Sequence, residues 1–584
     1  MEIDLRPESQ IPEDLIELFN TSASDSREKY NQIISDSSQP ILDNIDWWSE
    51  NISSRNTYAC PLFHHVCCIE LLQNLTKSNI RITKIVVDSF ELSKLIKRHY
   101  SKALNSPQII YKSSPKIKLK SFLSFFYYEW FLLIRIFRLI CSKVLLKKTR
   151  FERKEYILID TFISCDYKDE DRWYGSFWDN LNEKQKEEIF FVPTLTDHGI
   201  SKFLKTLISV QNSERNTLFK EEFLNLHDIF YAYFHKFRRF YINIGESSLG
   251  DINSSDLVKE CMLKNRDVSS TFEAFLTYAF IRNISQKDVK VKLAIDWFEG
   301  HPIDKMWNLG FYRFFKGTKR LAYETFRSFP YYLSTYPIAS EIESKVVPNN
   351  FAVQGKACEK FLKEFFPNLN VKSVPAFKNQ YLWDETDSND EKNLNILVAF
   401  PYSITASAEM LDLLKSSFSL SEMNYQFILK THPTISAEKI ASNSSAKLPH
   451  NFISRSERLN FASNLSTKLP DNFVFSSERS FSKLIRASSL LITEASSVCL
   501  ESLALGIPVI VIQSSTGLTY DPIPDDIPQC LYRRCNSSKT LKESVYHFTH
   551  LSESEIFRNN ELGDEIRANY FEPITSEGIF RFLN

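Results

Sequence analysis

The stretch that decides the fold prediction is residues 490–512, LLITEASSVCLESLALGIPVIVI. Its apolar run Leu490–Ile492 is short and rich in branched residues, as is typical of a strand buried in a parallel sheet. Gly506 follows a predicted helix, and Pro508 prevents that helix from continuing. A second apolar run, Val509–Ile512, then predicts another strand. The stretch therefore predicts a strand, a helix and a second, parallel strand.

Ser496 and Ser497 lie where the predicted helix begins. Their hydroxyls are suited to cap the first free N–H groups of that helix. A helix N-terminus lined with hydroxyls, at the carboxyl end of a parallel strand, is also suited to bind an anion such as phosphate. An ordinary, well-capped helix is the alternative reading of the same residues.

The composition limits the class of protein. A chain of 584 residues is long enough for several domains, and its net charge of −1 argues against nucleic acid as a partner. The ten cysteines include no CxxC pair and no metal-site spacing, so we expect a reducing compartment and no metal. The first residues, MEIDLRPESQ, contain no apolar signal core, which favours a cytoplasmic protein.

Strand and helix patterns alternate in both halves of the chain, which predicts an α/β fold with doubly wound parallel sheets. The other main strand predictions are 156–160, 189–192, 291–296, 394–400, 425–429 and 472–475. Pro193 is expected to close the second of these strands.

These patterns predict three regions. We expect an N-terminal domain over 1–345 with helical insertions, a connecting unit and linker over 346–393, and a C-terminal domain over 394–584. Within the last, residues 441–482 form a tandem repeat of 21 residues, and we interpret its first copy as a surface insertion.

Two predicted strand ends in the C-terminal domain carry polar side chains suited to a nucleotide. An imidazole N–H, serine hydroxyls and a lysine suit a phosphate, while a glutamate one turn into the helix suits ribose hydroxyls. The candidate residues are Lys430, His432, Pro433, Ser496, Ser497 and Glu501. No Walker A or GxGxxG sequence is present, which argues against ATPases and NAD enzymes.

Acids at predicted strand ends of the first half are candidates for acid/base work. Glu299 follows an apolar strand and precedes Gly300 and His301, a setting in which a carboxylate can be tuned for catalysis. The loop Asp169-Glu170-Asp171 follows the strand 156–160. A capping or surface acid is the alternative for Glu299, and a hydrogen-bonded loop residue is the alternative for His301. The acids of the 169–171 loop are alternatively ordinary solvent-exposed residues.

Residues 122–146, FLSFFYYEWFLLIRIFRLICSKVLL, form the most apolar segment. Charged residues interrupt it, so its uncharged runs are far shorter than the roughly 20 residues of a membrane span. Lysines and an arginine flank it within 118–150. A helix buried in the protein and a helix lying on an anionic membrane face both remain open.

The two polar strand ends resemble those of glycosyltransferases with the GT-B architecture, in which two Rossmann-like domains face each other across a cleft. His432-Pro433 and Ser496-Ser497 look like the HP and Ser-Ser motifs of bacterial enzymes that use CMP-activated sugars, such as sialyltransferases and Kdo transferases. The stretches DWFEGHPIDKMWNLGF at 296–311 and VVPNNFAVQGKA at 346–357 look like surface carbohydrate biosynthesis proteins.

The resemblance implies transfer of an ulosonic acid, Kdo-like or sialic-acid-like, from a CMP-activated donor to a bacterial surface glycan or glycolipid. The donor would be the substrate, with no separate cofactor, and the HP and Ser-Ser residues would hold its phosphate. Glu299 or Asp171, with His301 nearby, would act on the acceptor or the anomeric carbon, and retention or inversion stays open. A UDP-sugar or CDP-polyol donor, or a non-catalytic scaffold at the inner face of the membrane, are the alternatives.

Overall fold

The computed structural model describes residues 1–7, 9–101, 106–112, 115–152, 154–164, 171–196, 199–264, 268–327, 329–384, 395–418, 425–444, 472–478, 480–515 and 517–584. The chain forms two compact units, each built around its own six-stranded sheet. Unit 1 comprises Met1–Pro7, Thr21–Gln380 and Pro573–Asn584, and unit 2 comprises Glu8–Asn20 and Tyr381–Glu572.

The strands of unit 1 belong to one large sheet, one small sheet and a short ribbon. In chain order they are β1 (Glu2–Asp4), β2 (Lys84–Val87), β3 (Gln108–Tyr111), β4 (Glu155–Ile163), β5 (Ile189–Leu195), β6 (Ser248–Leu249), β7 (Ile252–Asn253), β8 (Lys290–Trp297), β9 (Lys319–Glu324), β10 (Asn350–Val353) and β11 (Asn370–Ser373). The large sheet has the order β11-β10-β9-β8-β4-β5 with every pair parallel. Its strand order reverses direction between β4 and β8, which is where ligands bind in such sheets.

The strands of unit 2 form a single parallel sheet. They are β12 (Asn395–Ala399), β13 (Gln426–Lys430), β14 (Phe473–Phe475), β15 (Leu490–Thr493), β16 (Val509–Ile512) and β17 (Tyr532–Cys535). The spatial order is β14-β13-β12-β15-β16-β17, with every pair parallel. Numbered within the unit this is the order 3-2-1-4-5-6 of dinucleotide-binding folds, and it reverses between β12 and β15.

Helices connect and cover these sheets. They are α1 (Glu13–Ser38), α2 (Ile45–Trp48), α3 (Asn51–Ser54), α4 (Leu62–Lys77), α5 (Phe90–Tyr100), α6 (Pro115–Leu145), α7 (Glu183–Glu188), α8 (Ile200–Gln211), α9 (Lys220–Phe223), α10 (Leu226–Arg238), α11 (Ser255–Lys264), α12 (Val268–Ile284), α13 (Pro302–Phe314), α14 (Ala339–Glu343), α15 (Glu359–Leu362), α16 (Ile404–Phe418), α17 (Ala437–Asn443), α18 (Phe481–Arg486), α19 (Val498–Leu503), α20 (Ser538–Thr549), α21 (Glu553–Tyr570) and α22 (Ser576–Leu583). Short 3₁₀ turns lie at Gln39–Ile41, Gly175–Asn180, Arg239–Tyr241, Leu333–Thr335, Lys356–Cys358, Phe377–Trp383 and Gln529–Leu531.

Strand β4 shows why the apolar runs become central strands. Tyr156 and Leu158 pack into the core on one face of the sheet, while Ile157 and Ile159 pack into the core on the other. Successive side chains of a strand point to opposite faces, so a strand covered on both sides must be apolar throughout. The predicted α/β class with two Rossmann-like units is confirmed.

The unit boundaries differ from the expected ones. Residues 346–380, expected to begin a connecting unit, supply β10 and β11 to the sheet of unit 1. The last helix, α22, also belongs to unit 1, because the Phe582 ring packs on the rings of Phe177 and Phe377. Residues 385–394 of the expected linker and 445–471 of the tandem repeat lie outside the described residues.

The expected end of a strand at Pro193 is wrong, because β5 continues to Leu195. β5 is the edge strand of its sheet, and Pro193 pairs in register with Thr161 of β4. Proline is accommodated at a sheet edge because its missing N–H can face away from the neighbouring strand.

Candidate functional site

In unit 1, the turn after β8 carries Glu299, Gly300 and His301, and α13 begins at Pro302. The backbone N–H groups of Glu299 and His301 both donate to the Asp304 carboxylate, each over 3.0 Å. Gly300 has φ +71°, and a Cβ there would lie 1.9 Å from the carbonyl oxygen of Ser334. Only glycine fits this turn, which fixes the positions of the acid and the imidazole on either side of it.

The side chains of this turn form a connected hydrogen-bond cluster. Asn56 Nδ2 lies 3.3 Å from His301 Nδ1, and an amide nitrogen can only donate. The neutral His301 ring therefore carries its proton on Nε2, which donates to Glu299 Oε2 over 2.6 Å. The Tyr332 hydroxyl donates to the same oxygen over 3.3 Å. His301 and Tyr332 thus hold the Glu299 side chain in position.

Glu299 is the group of this cluster best placed to act on a substrate. Its side chain is 20% exposed and that of His301 is 25% exposed, so both are held by the protein and remain accessible. The turn lies at the carboxyl end of β8, beside the reversal of strand order between β4 and β8. A carboxylate held in this way can serve as a general base or a nucleophile.

Buried acids behind the turn were not predicted. Burial raises the pKa of Asp304 to about 6 and that of Asp160 to about 7, and it also raises the pKa of Asp296. Lys220 Nζ lies 3.5 Å from Asp160, and Asn308 donates to Asp296 over 2.9 Å. In the sequence, these acids lie inside or just after an apolar run. Many surface acids lie in the same kind of position, so the pattern does not identify the buried ones.

Asp171 has a structural role in this structure. Its carboxylate accepts from the backbone N–H groups of Trp173 and Tyr174 over 2.9 and 2.8 Å, and Arg215 lies 2.7 Å from its second oxygen. The loop is set beside β8 by the Trp173 ring, whose centroid is 3.7 Å from that of Trp297. Both oxygens of Asp171 are thus used in holding the loop. Its neighbours at 169 and 170 lie outside the described residues.

In unit 2, His432 and Pro433 follow β13, as predicted. The backbone N–H of Thr434 donates to His432 Nδ1 over 3.3 Å, so the proton of the neutral ring lies on Nε2. The Tyr402 ring, from the loop after β12, meets the imidazole edge-on at 5.4 Å between centroids. Lys430 Nζ donates to the carbonyl oxygen of Glu478 over 2.5 Å, which holds its ammonium group against the backbone.

Ser496 and Ser497 follow β15 at the reversal of strand order between β12 and β15. The expected capping role is wrong for Ser497. Ser497 is the residue before α19, but its φ of −62° and ψ of −19° are helical, and its side chain makes no capping hydrogen bond. A cap needs an extended residue whose oxygen reaches back to the helix N–H groups.

Glu494 is a residue of this edge that the sequence analysis missed. It follows β15 directly and is only 5% exposed. Its carboxyl group has no hydrogen bond or ion pair to any residue the structure describes. Burial, together with the nearby Glu409, raises its pKa to about 8. Near pH 7 Glu494 is therefore largely a neutral acid, with one O–H to donate.

Glu501 lies within α19 and is buried. The Tyr381 hydroxyl donates to its Oε2 atom. This contact fixes the direction of the carboxylate that was expected to meet a ribose.

The sheet of unit 2 brings the predicted polar loops to one edge. β12 lies between β13 and β15, so the His432 loop and the Ser496-Ser497 loop flank the loop that carries Tyr402. Among the described residues no cluster of three or more His, Cys, Asp or Glu has the arrangement of a metal site. The arrangement offers imidazole, hydroxyl and neutral carboxyl donors, which together suit an anionic ligand.

Comparisons with known proteins give distant structural similarity only. No protein-family model matches the chain, and no curated protein matches it in sequence. The structure of S. aureus MnaA with UDP has a TM-score of 0.40 and 8% identity, covering 74% of this chain and 95% of that chain. The structure of Acinetobacter baumannii MurG has a TM-score of 0.35 and 8% identity, covering 73% of this chain and 99% of that chain. The structure of the wall teichoic acid polymerase TagF with CDPG has a TM-score of 0.39 and 9% identity, covering 80% of this chain and 96% of that chain. At such identities the function has to be inferred from the residues of this chain.

Proposed function

We propose that this chain is a glycosyltransferase that takes an ulosonic acid from a CMP-activated donor and transfers it to a surface glycan or glycolipid. The observation that carries the proposal is the common sheet edge in unit 2, where His432 and the Ser496-Ser497 pair follow neighbouring strands at the reversal of strand order. A nucleotide is the ligand class that such an edge binds in doubly wound sheets.

The residues of unit 2 have distinct roles in this proposal. His432 Nε2–H and the serine hydroxyls donate to the phosphate of CMP, both in the bound donor and as negative charge grows on the leaving group. Pro433 fixes the turn after His432, and Lys430 contributes positive charge from its place on the Glu478 carbonyl. Glu501, oriented by Tyr381, accepts from the ribose.

The chemical step in this proposal belongs to Glu299 of unit 1. As a general base, the carboxylate takes the proton of the acceptor hydroxyl while that oxygen bonds to the anomeric carbon and CMP departs. As a nucleophile, it bonds to the anomeric carbon as CMP departs, and the acceptor oxygen then displaces the carboxylate while its proton passes to solvent. His301 and Tyr332 hold it in position in either case.

The protein would work in the cytoplasm, with a peripheral contact to the inner face of the membrane through 118–150. No helix among the described residues is both long and apolar enough to cross a membrane. The proposed contact is at the surface of the bilayer, where a glycolipid acceptor is found.

The proposal is tested by isothermal titration of the full chain with CMP, UDP and CDP. UDP and CDP are included because the MnaA structure holds UDP and the TagF structure holds CDPG. We expect CMP to bind most tightly, and the double variant Ser496→Ala/Ser497→Ala to bind it at least tenfold more weakly. Ser552→Ala, in the cap of α21, is the matched control and should bind CMP normally. Tighter binding of UDP or CDP, or no nucleotide binding at all, would contradict the CMP donor.

A further inference from the structure

Helix α6 has an exposed apolar stripe in addition to its buried face. Leu132 and Leu139 pack into the core of unit 1. Other apolar side chains of the same helix lie in solvent, with Trp130 60% exposed and Val144 78% exposed. The stripe is formed by Phe126, Trp130, Leu133, Phe137, Ile140 and Val144. Their spacing of four and three residues places them on one side of the helix.

Helix α10 and the 3₁₀ turn after it carry a second exposed stripe, which is aromatic. It is formed by Phe230, Phe234, Phe237 and Tyr241, again spaced by four and three residues, with Tyr241 86% exposed. The rings of Phe230 and Phe234 lie 6.5 Å apart, and those of Phe234 and Phe237 lie 6.1 Å apart. These ring contacts join the three phenylalanines into a continuous row, and Tyr241 follows them at the same spacing.

Contacts between α6 and α10 join the two stripes into one surface. The Tyr233 hydroxyl donates to the two carboxylate oxygens of Glu129 over 2.6 and 2.7 Å, and Lys236 Nζ donates to Glu129 over 2.8 Å. Glu129 precedes Trp130, and Tyr233 and Lys236 flank Phe234. We call the exposed stripes of α6 and α10, with the 3₁₀ turn, the two-helix surface.

Positive charge lies at one end of the two-helix surface. Lys147, Lys148 and Arg150 follow α6 and are exposed. None of the three forms an ion pair with a residue in the described part of the chain. Glu222 is an acid that contacts this segment, and its carboxylate accepts hydrogen bonds from the backbone N–H and the hydroxyl of Thr149. The basic side chains are therefore available to an external anion.

We propose that the two-helix surface docks unit 1 on an anionic lipid bilayer, with α6 and α10 lying in the plane of the interface. Large contiguous apolar patches on a protein surface mark sites of interaction. Tryptophan, tyrosine and phenylalanine together with lysine and arginine are the composition of surfaces that lie at the headgroup level of membranes. The basic end gives the charge complementarity that selects anionic lipid.

This inference deepens the membrane contact of the proposed function, because it adds α10 to the expected segment 118–150 and names the lipid class. It does not depend on the donor nucleotide. A protein partner would also bury aromatic side chains, but it would not by itself require the exposed basic residues at the end of the stripe. The bilayer accounts for both features.

The test is co-sedimentation of the full chain with vesicles, in the absence of nucleotide. One set of vesicles is phosphatidylcholine alone, and the other is phosphatidylcholine mixed with phosphatidylglycerol. We expect binding to the mixed vesicles to be at least tenfold stronger, and to weaken with added salt. Trp130→Glu/Phe234→Glu should reduce that binding at least tenfold. The triple variant Lys147→Gln/Lys148→Gln/Arg150→Gln should remove most of the preference for phosphatidylglycerol.

Matched controls use the same substitutions at exposed positions elsewhere. Phe557→Glu/Phe580→Glu changes two exposed phenylalanines outside the two-helix surface, and Lys439→Gln/Lys539→Gln/Lys542→Gln removes three exposed lysines of unit 2. Both controls should bind mixed vesicles normally, and circular dichroism should match the parent chain for every variant. The inference would be overturned if the parent chain bound both vesicle types equally, or if Trp130→Glu/Phe234→Glu bound mixed vesicles as well as the parent chain does. It would also be overturned if the parent chain bound no vesicles but self-associated, and this variant abolished the self-association. Because nucleotide is absent, a failed CMP titration leaves this result untouched.

Discussion

Glu299 in unit 1 and Glu494 in unit 2 occupy equivalent places in two Rossmann-like sheets, just beyond the carboxyl end of a strand at the reversal of strand order. Their surroundings differ. Glu299 is partly exposed and accepts hydrogen bonds from His301 and Tyr332. Glu494 is buried, has no described partner, and lies near another acid, Glu409.

The difference shows how one side chain serves opposite purposes. Donors around Glu299 fix the position of its side chain, whereas burial without a donor favours the neutral form of Glu494. In the proposed function Glu299 takes a proton or attacks a carbon, while Glu494, as a neutral acid, can donate a hydrogen bond beside Ser496 and Ser497. In the proposed function, Glu299 of unit 1 is the reacting group, and the sheet edge of unit 2 binds the anion.

The largest expected effect follows from removing the charge of Glu299. Glu299→Gln keeps the size of the side chain but cannot take a proton or form a covalent intermediate, so transfer should fall by about 10²–10⁴-fold. The measurement is the rate of CMP release from a CMP-sugar in the presence of acceptor, with CMP affinity as the second readout. CMP affinity should stay unchanged, because Glu299 is not proposed to bind the nucleotide.

Glu494→Gln is the contrasting variant. Glutamine retains a donor, so CMP binding and transfer should both remain within a few-fold of the parent chain. If Glu494→Gln abolished transfer and Glu299→Gln did not, the assignment of the two glutamates would be reversed.

A smaller effect is expected when His432 is changed. His432→Ala removes one donor to a charged phosphate, a contact worth about 1.5–3 kcal/mol, so CMP should bind roughly ten- to a hundredfold more weakly. Titration calorimetry of the full chain provides the comparison. His550→Ala, an exposed histidine bonded to Tyr546 in the same unit, is the control and should leave CMP affinity unchanged.

The parts of this fold that the sequence predicts are those fixed by local pattern. Leu490–Thr493 and Val509–Ile512 are covered on both faces, so their apolar runs identify them as central strands. The positions of His432, Ser496 and Ser497 at strand ends follow from the same pattern. Gly506, with φ +69°, ends its helix region as expected.

The unpredicted parts depend on contacts between distant residues. The Phe582 ring meets Phe177 from the far end of the chain, so no local pattern assigns α22 to unit 1. Asn56, which sets the tautomer of His301, lies 245 residues away from it in sequence. Glu494 becomes a neutral acid through burial, which is a property of the packed sheet and not of its neighbours in sequence.

The raised pKa of Glu494 predicts that stability depends on pH. Its ordinary pKa of 4.5 rises to about 8 in the folded chain. Between those values the folded state keeps the proton that the unfolded state has released. The free energy of unfolding therefore falls as pH rises through this window, by up to about 1.4 kcal/mol per pH unit.

Glu494→Gln removes this titration, so its stability relative to the parent chain should increase steadily from pH 5 to pH 8 and stay level above. Urea unfolding at several pH values measures the difference in free energy of unfolding between the variant and the parent chain. The contributions of Asp160 and Asp304 cancel in this difference, because both chains contain them. Glu543→Gln, an exposed glutamate of α20, should show no such trend. A parallel pH dependence in the parent chain and Glu494→Gln would contradict a neutral Glu494.

The smallest expected effect tests whether the hydroxyls of Ser496 and Ser497 stabilise the fold or are available to a ligand. Because the Ser497 side chain makes no capping hydrogen bond, Ser496→Ala/Ser497→Ala should change the free energy of unfolding by less than about 0.5 kcal/mol. Ser552 does cap α21 through the N–H of Glu555, so Ser552→Ala should cost about 1 kcal/mol. Urea unfolding of both variants without nucleotide makes the comparison. A cost for the double variant as large as that of Ser552→Ala would show that the hydroxyls serve the helix, and the loss of CMP affinity would then have a structural cause.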